Sequence, residues 1–83
     1  MYYVYVIKNE KKELYTGYTS DLKQRLHYHN LGKNQSTKNH EWELVYYEAY
    51  KSEKDARLRE QQLKESTGSK RWLKSRIKHS IDS

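Results

Sequence analysis

Two short stretches rich in aromatic and β-branched residues constrain the fold of this chain most strongly. They cover residues 2–9 and 14–19, and the charged residues 10–13 separate them. Such stretches favour strands, and the short polar segment favours a chain reversal, so the pattern predicts a β-hairpin. In the first strand, alternation puts Tyr3, Tyr5 and Ile7 on one face and Val4 and Val6 on the other. Apolar side chains on both faces predict a sheet that is covered on both sides.

The remaining segments predict helices around one more strand. Ser20 as N-cap and Gly32 as stop predict a helix over about residues 21–31, and residues 42–50 have the composition of a third strand. A capping-box pattern at Ser52 predicts a second helix that runs to about residue 65, where Gly68 and its neighbours break it. A last amphipathic helix follows, marked by Leu73, Ile77 and Ile81. The order ββαβαα predicts an α+β fold with a small three-stranded, largely antiparallel sheet packed by helices.

Length and charge limit the classes of protein that the chain can belong to. With 83 residues and no cysteine, we expect a single domain over residues 1–83 that is held by packing and suited to a reducing compartment such as the cytoplasm. No apolar run approaches the roughly 20 residues that a membrane-spanning helix needs, and the first residues lead into a strand without a signal region. Lys and Arg number 17 against 11 Asp and Glu, a net charge of +6. That charge favours a nucleic-acid partner, although a charge of ~2–8 also serves solubility alone.

Basic residues are concentrated in two places. A polar loop between the first helix and the third strand carries two lysines, and the last helix carries several more basic residues. We expect nucleic-acid contacts from Lys33, Lys38, Lys70, Arg71 and Lys74.

Glu60 is a carboxylate among apolar positions of the second helix. It follows Ala56 by four residues and precedes Leu63 by three, so it lies within the apolar stripe. An unpaired carboxylate there would cost several kcal/mol on burial, so it requires a salt bridge, a hydrogen bond or a metal ion. A surface ion pair with Lys54, Arg57 or Lys64 is the simplest alternative.

Arg25 and His29 lie four residues apart on one face of the first helix, beside its apolar stripe. A guanidinium matches phosphate geometry with two hydrogen bonds and keeps its charge at any working pH. The alternative is a solvated helix face. Zinc is disfavoured, because the chain has no cysteine and its histidines lack ligand spacing.

Tyr5 and Tyr15 belong to the two strands of the hairpin and are placed symmetrically about Glu10. In an antiparallel pair they are opposite or near neighbours, so their hydroxyls can converge if they share a face. The chain has nine Tyr and no Phe, and a buried Tyr needs a partner for its hydroxyl. We expect Tyr46, Tyr47 and Tyr50 to be such scaffold residues.

Taken together, these residues resemble the GIY-YIG nuclease family, which is named for two sequence triplets. Tyr3-Val4-Tyr5 and Tyr15-Thr16-Gly17 stand in the place of the triplets, and Arg25, His29 and Glu60 follow. Only Tyr5, Tyr15 and Gly17 agree literally with the name motif. The resemblance covers about residues 2–74 and is closest to small standalone bacterial members that are similar to the nuclease domain of the excision-repair excinuclease.

The resemblance implies a catalytic role for each matching residue. Glu60 would bind a single divalent cation, Mg²⁺ or Mn²⁺, and Tyr5 with Tyr15 as its partner would position or deprotonate the attacking water. A phenol has a pKa of about 10, so Tyr5 would act as the base only if nearby cations lowered it. Arg25 and His29 would neutralise the transition state, and His29 has the family spacing of four residues after Arg25. Gly17 would allow close backbone approach.

These expectations describe a metal-dependent endonuclease that acts on DNA in repair or nucleic-acid processing. The principal alternative is a non-catalytic nucleic-acid-binding module with a nuclease-like fold, and a protein-interaction domain is the third interpretation. Since the sequence predicts no separate DNA-binding domain, substrate selection would come from weak contacts, a homodimer or a protein partner.

Overall fold

The computed structural model describes residues 1–32, 34–35 and 37–83. Among those residues the order of elements is ββαβαα followed by a short last helix, which confirms the predicted α+β fold. No helix in the described part is long and apolar enough to span a membrane. The elements are β1 (Tyr2–Lys8), β2 (Leu14–Thr19), α1 (Leu22–Asn30), β3 (Glu43–Tyr50), α2 (Glu53–Glu65), α3 (Thr67–Arg76) and α4 (Lys78–Asp82).

The three strands form one antiparallel sheet in the order β2-β1-β3. The hairpin turn between β1 and β2 is held by Asn9, whose side-chain oxygen accepts hydrogen bonds from the backbone N–H of Lys11 (2.9 Å) and Glu13 (3.0 Å). Lys12 completes the reversal with a φ of +64°. Since β1 is central, β2 remains an edge strand and is open to solvent along one side.

Both faces of the sheet are covered, as the alternation in β1 predicted. Val4 and Val6 pack against the helices α2 and α3 in one core cluster. On the other face, Tyr5 and Ile7 form a smaller cluster with Trp42, against which α1 packs. The side chains of residues 4–7 are therefore almost fully buried, and the larger apolar ones contribute about 1.5–3 kcal/mol each.

The capping of two helices differs from the sequence prediction. The N-cap of α1 is Asp21 and not Ser20, and its carboxylate accepts a hydrogen bond from the backbone N–H of Gln24 at 3.1 Å. Ser52 does begin α2, but its side chain makes no capping hydrogen bond, so the predicted capping box is wrong. Gly32 ends α1 as predicted, with a φ of +73° that suits glycine.

The end of the chain also differs in detail. The break after α2 occurs at Ser66, while Gly68 lies in the first turn of α3. The predicted last helix is divided at Ile77 into α3 and α4. α4 is held against the sheet by Lys8, whose buried ammonium donates to the backbone oxygens of Ile81 (2.9 Å) and Ser83 (2.8 Å).

Candidate active site

Four of the five predicted catalytic residues line one surface cleft beside the edge strand β2. Tyr5 and Tyr15 come from neighbouring strands, while Arg25 and Glu60 come from α1 and α2. The fifth residue, His29, lies behind the cleft and contacts Tyr5. The cleft has a volume of about 380 Å³, and its other lining residues are Tyr2, Gly17, Tyr18, Thr19, Ser20 and Glu53.

Gly17 lets the ring of Tyr5 lie across β2. The two residues are partners in the β1–β2 register, and a Cβ at position 17 would lie 2.6 Å from the Cζ atom of Tyr5. Any side chain there would displace the ring. Tyr15 faces Ile7 in the same register, so Tyr5 and Tyr15 lie diagonally on one face of the sheet.

A buried hydrogen-bond chain fixes the hydroxyl of Tyr5. That hydroxyl lies 2.7 Å from Nε2 of His29, and Nδ1 of His29 lies 2.9 Å from Oγ1 of Thr37. Thr37 in turn donates to the backbone oxygen of Asn34 at 3.4 Å. We therefore assign the ring proton of His29 to Nδ1, which leaves Nε2 to accept the proton of the Tyr5 hydroxyl. His29 and Thr37 are fully buried, so the solvated-face alternative does not hold for His29.

The pKa shifts of this pair favour the neutral forms. Burial raises the pKa of Tyr5 well above its usual value, and the charges of Tyr15 and Glu60 add to the rise, whereas Arg25 opposes it. Burial and then the charge of Arg25 lower the pKa of His29. The cation-induced lowering that the sequence argument required for Tyr5 is outweighed by burial. At neutral pH, Tyr5 is thus a neutral donor and His29 a neutral acceptor.

Tyr15 is held by ring contacts. Its ring meets the edge of His29 at 5.0 Å between centroids and that of Trp42 at 6.3 Å. The ammonium of Lys64 lies 5.3 Å from the centre of the Tyr15 ring. No hydrogen bond to a described residue engages the Tyr15 hydroxyl, which leaves it free to contact a bound substrate or water in the cleft.

Arg25 projects from α1 into the same cleft and is half-buried. Its guanidinium carbon lies 5.1 Å from the ring centre of Tyr28, the kind of cation–π contact that orients an arginine. The guanidinium is near enough to influence the pKa of both Tyr5 and His29. It therefore brings a fixed positive charge to the cleft that Glu60 also lines.

Glu60 lies between two buried residues of α2, Ala56 and Leu63, as the helical spacing indicated. Its side chain is 20% exposed and forms an ion pair with Lys64, with 3.3 Å between Nζ and Oε2. This is one of the three pairings that the sequence left open. Such a pair between partly exposed groups is worth only about 0.3–0.5 kcal/mol, so it holds the carboxylate weakly.

A comparison with family models identifies the chain. The model described as the GIY-YIG catalytic domain matches residues 1–74. The chain belongs to the GIY-YIG family. The family is one of nucleases, so its members are hydrolases that act on nucleic acid.

Curated relatives of this GIY-YIG chain are UPF0213 proteins of Streptococcus pyogenes. Those of serotype M5 (strain Manfredo), serotype M2 (strain MGAS10270) and serotype M28 (strain MGAS6180) are each 45% identical to it over 56 residues. The matched segment covers 65% of this chain and 61% of each relative, so the match extends over about three fifths of the relatives' length. No solved structure matches the chain significantly.

GIY-YIG nucleases are generally dependent on divalent metals, and the carboxylates of this cleft fit that use. Glu60 and Glu53, two turns apart on α2, both line it. Mg²⁺ is usually held by one or two carboxylates while it keeps several waters. In the described part of the chain, no three His, Asp or Glu side chains cluster as a metal site, so protein ligation would rest on Glu60 with Glu53 nearby.

The predicted nucleic-acid contacts of the GIY-YIG chain fall in different places. Lys70 and Lys74 line a second groove that adjoins the cleft, while Arg71 is exposed on α3 outside that groove. Lys38 is exposed in the loop that follows Thr37. Lys33 lies outside the described residues.

Sequence reasoning missed three residues around the site. Glu53 precedes Glu60 by seven residues, so helical spacing could have placed it on the same face. Lys64 was considered only as a surface partner for Glu60, although it also contacts Tyr15. Thr37 carried no signal, because only the folded loop brings its hydroxyl to His29.

Proposed function

We propose that this GIY-YIG chain is a metal-dependent endonuclease that hydrolyses phosphodiester bonds in DNA. The observation that carries the proposal is the convergence of two phenols, a guanidinium and a carboxylate on one cleft, with a buried histidine behind one phenol. A phosphodiester bound there would meet a positive charge, a proton acceptor and a metal ligand together.

Tyr5 and His29 act as a proton relay to the attacking water. Tyr5 donates to Nε2 of His29, so the lone pairs of its oxygen are available to a water in the cleft. As the water attacks, Tyr5 takes its proton and passes its own phenolic proton to His29. This exchange does not require a free phenolate, which the raised pKa of Tyr5 makes rare. Thr37 keeps His29 in the accepting tautomer, and Tyr15 orients the water or phosphate.

Arg25 on α1 and Glu60 on α2 act on the phosphate in different ways. Arg25 donates hydrogen bonds to the non-bridging oxygens, where negative charge grows during attack. A divalent cation such as Mg²⁺ or Mn²⁺, held by Glu60, would polarise the phosphate and stabilise the leaving oxygen. Glu60 must give up its ion pair with Lys64 for that role, at the small cost given above.

Several finer features belong to the same proposal. We place the activity in DNA repair or nucleic-acid processing and in a reducing compartment such as the cytoplasm, which the cysteine-free sequence suits. Residues 1–83 act as one catalytic unit that carries one ion and cuts one strand per encounter. Cleavage of both strands then needs a homodimer, a protein partner or rebinding.

Cleavage assays with a metal titration test this function. The native chain and the variant Glu60→Gln are incubated with single-stranded, nicked, branched and duplex DNA and with RNA. We expect metal-dependent products from the native chain and a loss of about a thousandfold or more in the variant, since a metal ion supplies several kcal/mol of charge stabilisation. Equal cutting by both proteins, or none by the native chain on any substrate, contradicts the proposal. Salt-sensitive binding without cleavage would instead indicate a non-catalytic module.

A further inference from the structure

A second groove, which we call the lysine groove, opens between the start of β2 and the helices α2, α3 and α4. Its volume is about 630 Å³, larger than that of the candidate active site. Its charged lining is unbalanced, with five ammonium groups against two carboxylates. These residues are Lys12, Lys64, Lys70, Lys74 and Lys78 on the positive side and Glu13 and Asp82 on the negative side.

The rest of the lining is mostly apolar. Leu63 and Leu73 are buried at its base, and Leu14 and Ile81 are half-buried beside them. α4, which carries Ile81, is held in place by the two hydrogen bonds from Lys8. The lysine groove therefore combines an apolar floor with a cationic rim.

The lysine groove borders the candidate active site. Tyr15 lines both. Lys64 lines the lysine groove, forms the ion pair with Glu60 and lies over the ring of Tyr15. The lysine groove and the cleft therefore meet at Tyr15.

We propose that the lysine groove binds an unpaired flank of the nucleic-acid strand that is cut, an inference that rests on the proposed function. The lysines contact successive phosphates, while bases turn toward the apolar floor and Tyr15. A duplex keeps its bases stacked inside, so it would meet the rim and leave the floor empty. The substrate class is accordingly a nucleic acid with a single-stranded segment beside the scissile bond, such as a fork, flap or bubble.

An acidic peptide is the other macromolecule that this charge would attract. It is disfavoured because the lysine groove shares Tyr15 with a cleft whose side chains suit a phosphodiester. Binding of a peptide would also leave unexplained why Lys64 of the groove is paired with Glu60 of the cleft. The competition experiment below separates the two.

Binding of a fluorescent oligothymidylate of about 12 nucleotides tests the inference. Fluorescence anisotropy is recorded in Glu60→Gln protein with chelator present, so that no cleavage occurs. The test variant adds Lys70→Gln and Lys74→Gln. The control variant instead adds Lys23→Gln and Lys51→Gln, which remove the same charge from exposed positions outside the lysine groove.

We expect the test variant to bind about tenfold more weakly and its salt dependence to fall by about 1.4 in the log–log slope, because two phosphate contacts are lost. The control should stay within about twofold. An abasic strand of equal length and charge should bind at least about threefold more weakly than oligothymidylate, since it has no bases to contact the apolar floor. Circular dichroism shows whether the variants fold equally.

Three results would overturn the inference. The first is an equal loss in test and control variants, which would mean that only net charge matters. The second is equal binding of the abasic strand or of a blunt duplex. The third is displacement by polyglutamate as efficient as that by unlabelled strand at equal charge, which would favour an acidic peptide.

These outcomes are separate from the fate of the proposed function. If the lysine groove binds the strand as described but the native chain cuts nothing, the nuclease proposal fails and the binding inference stands. If Glu60→Gln abolishes metal-dependent cleavage while the groove variant binds normally, the nuclease proposal stands and the binding inference fails.

Discussion

Two carboxylates of this protein, Glu48 on β3 and Glu60 on α2, are about equally exposed but differ in what surrounds them. Their side chains are 16% and 20% exposed. Glu48 accepts two hydrogen bonds from Arg59, at 2.9 and 3.1 Å, and one each from the hydroxyls of Tyr46 and Tyr50. Glu60 has only the ion pair with the exposed Lys64 among the described residues.

Glu48 is held by the fold through several hydrogen bonds, whereas Glu60 has few partners. Burial pushes the pKa of Glu48 up, but the hydrogen bonds from Arg59, Tyr46 and Tyr50 outweigh it and hold the pKa below its usual value. The lone pairs of Glu48 are thus occupied in joining β3 to α2. Glu60 keeps most of its hydrogen-bonding capacity for a cation or water, in a cleft that also holds Tyr5, Tyr15 and Arg25. Glu48 and Glu60 are thus buried to a similar extent, and they differ in the number of groups that hold them.

Replacing each carboxylate by an amide should separate a loss of cleavage at Glu60 from a loss of stability at Glu48. Glu60→Gln should reduce cleavage by about a thousandfold or more and change the free energy of unfolding by less than about 0.5 kcal/mol. Glu48→Gln should leave cleavage within about threefold but destabilise the fold by about 2 kcal/mol, because it leaves Arg59 without its charged partner. Cleavage rates and urea unfolding of both variants provide the measurements. A destabilised Glu60→Gln protein, or an inactive Glu48→Gln protein, would show that the two carboxylates are not separated in this way.

Removing one tyrosine hydroxyl beside each site should have a smaller effect of the same kind. Tyr5→Phe keeps the ring over Gly17 but ends the proton relay, so cleavage should fall about 10²–10³-fold. Tyr46→Phe removes a donor to Glu48 and should cost about 1 kcal/mol of stability, with cleavage within about twofold. Single-turnover cleavage at saturating metal and thermal unfolding measure the two effects. Similar activities of the two variants would remove Tyr5 from the mechanism.

The smallest expected effect is a pH dependence of stability from His29. Its pKa is lowered in the folded state by burial and by Arg25, so the unfolded chain binds the proton first as pH falls below about 6.5. The stability that neutral His29 supplies is present above that pH and is lost as the pH falls toward the folded pKa. His29→Gln should lack this decline, while the exposed neighbour variant His27→Gln should retain it. Urea unfolding between about pH 5 and 8 checks the expectation, and parallel slopes for all three proteins would contradict it.

Local patterns predicted most of the fold. The hairpin follows from two aromatic and β-branched segments, and the coverage of both faces follows from the alternation of Tyr3 to Ile7. The errors lie at helix ends. Asp21 replaced Ser20 as the cap, the Ser52 box did not form, and the last helix divided at Ile77. Neighbouring capping residues differ by only a few tenths of a kcal/mol, so tertiary contacts choose among them.

The identities of the candidate site residues were predictable, but their states were not. Spacing placed Glu60 in an apolar stripe, and the resemblance indicated Arg25 and His29. Nothing in the sequence indicated that His29 would be fully buried between Tyr5 and Thr37, or that burial would raise the pKa of Tyr5. Those properties depend on solvent exclusion by residues that are distant in the chain.

Sequence alone was enough to predict the strands, the approximate bounds of the helices and the net charge, because each of these follows from nearby residues or from composition. The tertiary structure was needed to show that, among the described residues, Glu48 is held by four hydrogen bonds while Glu60 has one ion pair, and that Tyr15 lines both the lysine groove and the cleft. A side chain's chemistry depends on which groups surround it and how much water reaches it. Both quantities are set when β2, α1, α2 and the last helices pack around the same edge of the sheet.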